Sequence, residues 1–244
     1  MIQVTDLVKR FKQITAVNGV SFEARDGEIT GPLGPNGAGK TTVLRMLYGL
    51  LSADGGTAEI DGIDALKNRQ DAQARIGALP DTLGLYERFT TREHVHYFGE
   101  IRGFSKKELK TRIIALIEQL DMKEIADRRV AGFSAGERMK VNIARALIHG
   151  PQNVLLDEPT NGLDIMSTRK LREMLLALRG DGKCVLLSSH IMQEVSALCD
   201  RIVIISRGKV AASGTLDEIR EAAGTDNLED AFVSLAKADK EVTK

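Results

Sequence analysis

An α/β fold is predicted by three features of this 244-residue chain. In the C-terminal third, short unbroken runs of Val, Ile and Leu ("NVLLDEP", "KCVLLSSH", "RIVIISRGKV") alternate with helical pattern, as expected of parallel strands covered on both faces. The opening third instead alternates strand-like runs ("IQVTDLV", "ITAVNGVSFEA") with turn signals such as Asp26-Gly27, which predicts an antiparallel β portion. Between Leu85 and Leu147 the apolar period becomes helical, so a set of helices is expected to interrupt the sheet-forming sequence.

Taken in order, the first predicted helix is "KTTVLRMLYGLL", with Val43, Leu44, Leu47, Leu50 and Leu51 on one stripe. "SADGGTAEIDG" follows as a turn with short strands. Thr90 and Glu93 form a T-x-x-E capping box at the start of a helix, and Leu109, Ile113, Leu116, Ile117 and Leu120 make the apolar face of the next. The last helix of this stretch is expected to stop at Gly150, placed as a left-handed cap, because Pro151 cannot continue it. A helix from Ser167 to Leu178 separates two of the apolar strands, and "NLEDAFVSLA" carries a modest stripe of Leu228, Phe232 and Leu235.

Composition narrows the function classes. The 34 basic and 34 acidic residues balance, so nothing compositional argues for a nucleic-acid partner. No apolar run approaches the ~20 residues of a membrane-spanning helix, and the N-terminus lacks the apolar stretch of a signal peptide, so the chain reads as a cytosolic protein. Cys184 and Cys199 make neither a disulfide framework nor a metal-binding spacing, and His94 and His96, two apart, point to different faces of a helix.

The chemistry sits in four short motifs. Gly34-Pro35-Asn36-Gly37-Ala38-Gly39-Lys40-Thr41 satisfies G-x-x-x-x-G-K-[ST] between a strand and a helix. Its glycines let backbone N–H groups approach phosphates closely, Lys40 neutralises the terminal phosphates and the Thr41 hydroxyl can ligate Mg²⁺. Pro32, just upstream, removes a donor from a strand expected to be central, so it is expected at that strand's end. Asp157 and Glu158 close an apolar strand at the sheet edge where ligands of such folds collect, the first suited to a metal and the second to a water. His190 ends another strand on the same edge. Ser134 and Glu137, in "GFSAGERMKV", fit a second capping box, but capping does not call for Gly136.

"GPNGAGKT", "FSAGE", "LLDEPTNGLD" and "SSH", in this order and spacing, closely resemble the ATP-binding subunits of ABC (ATP-binding cassette) transporters over nearly the whole chain. The resemblance implies a P-loop NTPase core of mixed and parallel sheet with an antiparallel β-subdomain and an inserted helical subdomain. Its segments would be 1–84 (first part of the core with phosphate loop), 85–147 (helical subdomain with the signature), 148–220 (second part of the core) and 221–244 (helical tail). ATP and Mg²⁺ are the implied cofactors. Residues Gly34 to Thr41 and Thr42 would hold the nucleotide, Phe11 would stack on adenine with Val17 beside it, and Thr41 and Asp157 would support Mg²⁺. Glu158 would polarise the attacking water and His190 contact the γ-phosphate. Ser134 and Gly136 would meet the γ-phosphate held by a second copy, or by a related ATPase subunit, with Asp164 at that interface. Asp81 stands where the family usually has a glutamine touching metal and water; a carboxylate still ligates Mg²⁺, but its charge opposes the phosphates.

The resemblance further implies an integral membrane permease as partner, with the chain peripheral on the inner face of the cell membrane. Leu85, Tyr86 and Phe89 are expected to be partly exposed and to receive a short helix of that permease. The stretch from Leu79 to Gly103 and the C-terminal "NLEDAFVSLA" look most like exporters of the sodium- or drug-efflux type. Two other readings use the same residues: a soluble ABC ATPase acting on DNA or ribosomes, and an ATP-binding regulatory module without efficient turnover. The first usually carries a long coiled coil or two cassettes, and neither is present; Asp81 favours the second, whereas Glu158 and His190 oppose it.

Overall fold

The computed structural model describes residues 1–81 and 84–238. The chain opens with a long hairpin, β1 (Ile2–Phe11) and β2 (Ile14–Ala24), then enters β3 (Ile29–Leu33) and, through the glycine-rich loop, α1 (Lys40–Leu47). Next come β4 (Gly55–Ile60), β5 (Ile63–Asp64), α2 (Arg69–Ala74) and β6 (Ile76–Leu79), followed by three helices, α3 (Thr91–Ile101), α4 (Lys106–Gln119) and α5 (Ala135–Leu147). The remainder alternates as β7 (Asn153–Asp157), α6 (Ile165–Gly180), β8 (Cys184–Ser188), α7 (Met192–Leu198), β9 (Arg201–Ser206), β10 (Lys209–Gly214), α8 (Leu216–Ala223) and α9 (Leu228–Ala238). Of the expected tail, positions 239–244 lie outside the described residues.

Two sheets result. β2-β1-β4-β5 is antiparallel, and β10-β9-β3-β8-β7-β6 is parallel except for β10 at its edge. The unbroken apolar runs have a reason: alternate residues of one strand enter different cores. Val154 and Leu156 of β7 and Val185 and Leu187 of β8 pack with α4, α5 and α6, whereas Leu155 and Leu186 join α1 and the antiparallel sheet. Each such buried Leu or Val stabilises the fold by roughly 1.5–3 kcal/mol relative to exposure. The helices from α3 to α5 share one contiguous core with β7 and β8, so the helical segment is an outgrowth of the sheet's cover rather than a detached unit.

Local signals place most helix starts. The expected capping boxes at Thr90/Glu93 and Ser134/Glu137 both form, and Ser105/Glu108 and Thr215/Glu218 add two more. Two expectations need correction. α1 ends at Leu47 because Gly49 turns left-handed (φ 73°), so Leu50 leaves the stripe and is 67% exposed. Pro32 lies inside the central strand, one residue short of its end, with Val203 on one side and its carbonyl accepting from Ser189 N (3.2 Å) on the other; only a ladder donor is given up.

Candidate nucleotide site

The glycine-rich loop is braced from below. Gly34 lies so close to the Ile205 carbonyl that no side chain fits there, and Ala38 O accepts from Gly208 N at 2.9 Å. Gly39 adopts φ 110°, which only glycine takes readily, with its α-carbon beside the Ala16 carbonyl. It is also the N-cap of α1 and offers no capping side chain, in contrast to α3, α4, α5, α6 and α8. The first N–H groups of α1 are therefore left for an anion. Thr42 and Thr41, in the same turn, are half-buried.

Around this loop the structure gathers Lys40, Thr41, Asp157, Glu158 and His190. The buried Lys40 ammonium donates to Gly34 O (2.6 Å) and Pro35 O (3.3 Å) and pairs with Glu158 Oε1 (3.2 Å). The other Glu158 oxygen, Oε2, meets His190 Nδ1 at 2.7 Å and accepts from His190 N at 3.3 Å. Glu158 is presented by a left-handed backbone (φ 49°) held by its N–H to Ser188 O and Oγ. Its neighbour Asp157 accepts from Ser188 Oγ (2.5 Å) and Thr41 Oγ1 (3.2 Å) through Oδ1, while the buried Oδ2 has no hydrogen-bond partner among the described residues. Burial pushes the Asp157 carboxyl above its ordinary pKa; the Ser188 and Thr41 hydroxyls oppose this, and the charges of Asp81 and Glu158 add to it. A hydroxyl beside a buried carboxylate with a spare oxygen is a donor set that fits Mg²⁺, which takes few protein oxygens and completes its shell from phosphate and water.

Three further expected residues each have their own surroundings. Arg45, one turn beyond Thr41 on α1, pairs with Asp81 at 3.3 Å from both carboxylate oxygens. Val17 is fully buried and packs under Gly39, so it supports the loop rather than offering a surface to a base. Phe11 is 45% exposed at the tip of the β1–β2 hairpin, with the Lys9 ammonium 5.5 Å from its ring centre, and so has an open aromatic face.

Ser134, Gly136 and Asp164 form a second group at the starts of α5 and α6. Asp164 caps α6, accepting from Ser167 N (2.9 Å) and Ser167 Oγ (2.8 Å), and the first of these bonds chiefly holds its carboxyl below the ordinary range. Ser134 caps α5 through Glu137 N. Among the described residues no hydrogen bond or ion pair joins this group to the phosphate-loop group.

Sequence reading missed several supports. Ser188, Arg45 and Ser167 act across the fold and give no local signal, although "SSH" does contain Ser188. Tyr86 N donates to the buried His94 Nε2 (2.9 Å), and Arg145 donates to Gly84 O (3.0 Å), so helices α3 and α5 hold the loop around Gly84 and Tyr86. On that loop Tyr86 is 52% exposed, while Leu85 and Phe89 are half-buried, Leu85 against the main core.

A family model described as ABC transporter matches residues 17–161. The ABC transporter ATP-binding protein NatA of Bacillus subtilis (strain 168) is 44% identical over 96% of this chain and 97% of its own length. A Nod factor export ATP-binding protein I of Ralstonia nicotianae is 37% identical, covering 90% of this chain and 68% of that protein. A solved ATP-binding subunit of an ABC transporter superposes with TM-score 0.87 at 30% identity over 96% of this chain and 99% of that one. A dimeric bacterial ABC transporter cassette gives 0.79 at 25% identity over 88% and 98%.

Proposed function

The chain belongs to the ABC transporter family and is an ATPase, and from that premise we propose that it is the energising subunit of a membrane exporter. It works as two copies, or beside a related ATPase subunit, with ATP held between the phosphate loop of one and Ser134–Gly136 of the other; the dimeric cassette of the same fold supports this. The observation that carries the reading is Glu158, held between Lys40 and His190 at the mouth of the phosphate loop.

Phosphate oxygens take the N–H groups at the start of α1 and compete for the three donors of Lys40, which now serve Gly34 O, Pro35 O and Glu158. Glu158, released from the lysine, accepts a proton from water as that oxygen attacks the γ-phosphorus and the bond to the β–γ bridging oxygen breaks, giving ADP and phosphate. His190 keeps Oε2 oriented through Nδ1 and turns its second ring nitrogen toward the γ-phosphate. Mg²⁺, when bound by Thr41 and Asp157, would supply charge neutralisation at the phosphates. Phe11 lends its open face to the adenine ring.

Among the described residues no helix is long and apolar enough to cross a membrane, so transport calls for a permease, which would hold the chain at the inner face of the cell membrane. The exposed Tyr86, with Phe89 and Leu85 beside it, is the site we assign to that contact. Export is supported by the name of the Nod factor relative, and a sodium or drug-like cargo by the resemblance of the Leu79–Gly103 stretch to such exporters. Single-turnover hydrolysis tests the central claim: equal rates for wild type and Glu158→Gln would remove Glu158 from the chemistry and leave an ATP-binding module. For the permease contact, Tyr86→Ala is expected to lower recovery of the chain with solubilised membranes; unchanged recovery and coupled ATPase would sink the assignment.

A further inference from the structure

Gly136 stands at the second position of α5, in the first turn of a helix. Its φ lies outside the left-handed region, so glycine is not required there by backbone conformation. Inside a helix glycine is also less favourable than alanine, by up to about 1 kcal/mol. Space supplies the reason. A methyl group on Gly136 would stand 3.1 Å from Ser167 Cβ and closer still to Ser167 Oγ, within this same chain.

Ser167 is not a passive neighbour. It occupies the first turn of α6, and both its N–H and its hydroxyl donate to the carboxylate of Asp164. The hydroxyl that a side chain at Gly136 would meet is thus the one that ties down the N-cap of α6. Behind this contact α5 and α6 are separated by a cleft of about 350 Å³, spanned at its rim by Asp121, whose carboxylate accepts from Lys170 of α6 (3.1 Å) and whose carbonyl accepts from Lys140 of α5 (2.6 Å).

We propose that Ser167 is a positioning residue: seated on Gly136 and bonded to Asp164, it fixes the start of α5 against the start of α6, so that signature and Asp164 meet a second copy's nucleotide as one rigid face. This rests on the two-copy reading above. Gly136 then serves two purposes, and the one within the chain is separable from any approach to phosphate in the partner.

A double-mutant cycle separates them. Gly136→Ala, Ser167→Ala and the double variant are made in a Glu158→Gln background, and the ATP concentration that drives dimer formation with Mg²⁺ is measured by sedimentation velocity. Gly136→Ala is expected to raise that concentration at least tenfold, Ser167→Ala about threefold, and the double variant is expected to return close to Ser167→Ala, because contacting residues couple strongly. A double variant as impaired as Gly136→Ala, or worse, overturns the proposal. Affinity of the single copy for a fluorescent ATP analogue should be unchanged throughout; a loss there large enough to account for the dimer shift also overturns it. Thermal midpoints give an independent arm. Gly136→Ala should melt below the parent and the double variant should recover; if Gly136→Ala melts at or above the parent, the contact is not tight. Should the parent with Gly136 and Ser167 intact fail to dimerise with ATP, the two-copy reading falls while the melting cycle still judges the contact.

Discussion

Two helix starts in this molecule, those of α1 and α5, are made of similar parts and finished differently. α1 begins at a left-handed glycine with no side chain to satisfy its first N–H groups, and Lys40 and Thr41 of its own first turn are joined there by Asp157, Glu158 and His190 from two further places in the chain. α5 begins at Ser134, which closes a reciprocal capping box with Glu137, and Arg128 pairs with that glutamate at 3.0 Å. The first start is unfinished and needs an anion. The second is stable by itself, with a serine hydroxyl whose oxygen already accepts Glu137 N and whose proton remains to donate. The contrast teaches that one helix start of this chain calls for an anion and the other does not, which is what the proposed two-copy arrangement needs if the ligand arrives already held.

The largest break in the comparison should come from the unfinished side. Glu158→Gln is expected to lower the hydrolysis rate by about 10²–10⁴ while ATP still binds, measured by phosphate release and by nucleotide titration. Lys40→Ala should weaken ATP binding by roughly 10- to 100-fold, the worth of one charge-assisted bond to phosphate, whereas Ser134→Ala should leave single-copy affinity alone and weaken only the ATP-driven dimer. Mixing the Lys40→Ala and Ser134→Ala chains then sharpens the contrast: activity should return in the mixture, since one intact site forms, and stay absent with either alone.

Smaller effects concern charge. Ser188→Ala removes a hydrogen bond to ionised Asp157 and should move its pKa further up, so the acid limb of the rate profile shifts to higher pH. For stability the sign is opposite to that of a paired surface carboxylate. With its folded pKa raised, Asp157 binds more protons in the native state, and its ionisation weakens the fold as pH rises through the folded value. His149 provides the background against which such profiles are read. Burial, followed by the charge of Arg102, lowers it from 6.5 to about 4, so the unfolded chain takes up a proton that the native one refuses between those values. Stability is therefore lost as pH falls from 6.5 toward 4, and His149→Gln should flatten this slope, with a change in melting temperature on the order of a few degrees.

Local information was the legible part. Capping boxes span four residues, strand runs span about five, and the phosphate loop carries its own flanking context, so Thr90, Ser134 and Gly34 to Thr41 could be placed from the sequence. Alternation within a strand says that a residue is buried but not against what; the resemblance put Val17 beside Phe11, and the folded chain buries it beneath Gly39. A helical stripe gives no sign of its end, which misled at Leu50. The partners Ser188, Arg45 and Ser167 meet their counterparts only after the sheet is assembled; Asp157 and Ser188 are 31 positions apart and Arg45 and Asp81 are 36. Asp81 shows how this matters, because the resemblance relates it to metal and water, while nothing near it in sequence announces the arginine that pairs with it in the folded chain.

The left-handed backbone at Glu158 carries one last implication. A long side chain in that conformation costs roughly 1 kcal/mol more than glycine would, and asparagine would suffer less. Selection for thermostability alone would thus drift toward glycine or asparagine here and discard hydrolysis on the way. A library sorted by heat resistance and then sequenced at position 158 would show how strongly turnover, rather than durability, keeps a glutamate in place.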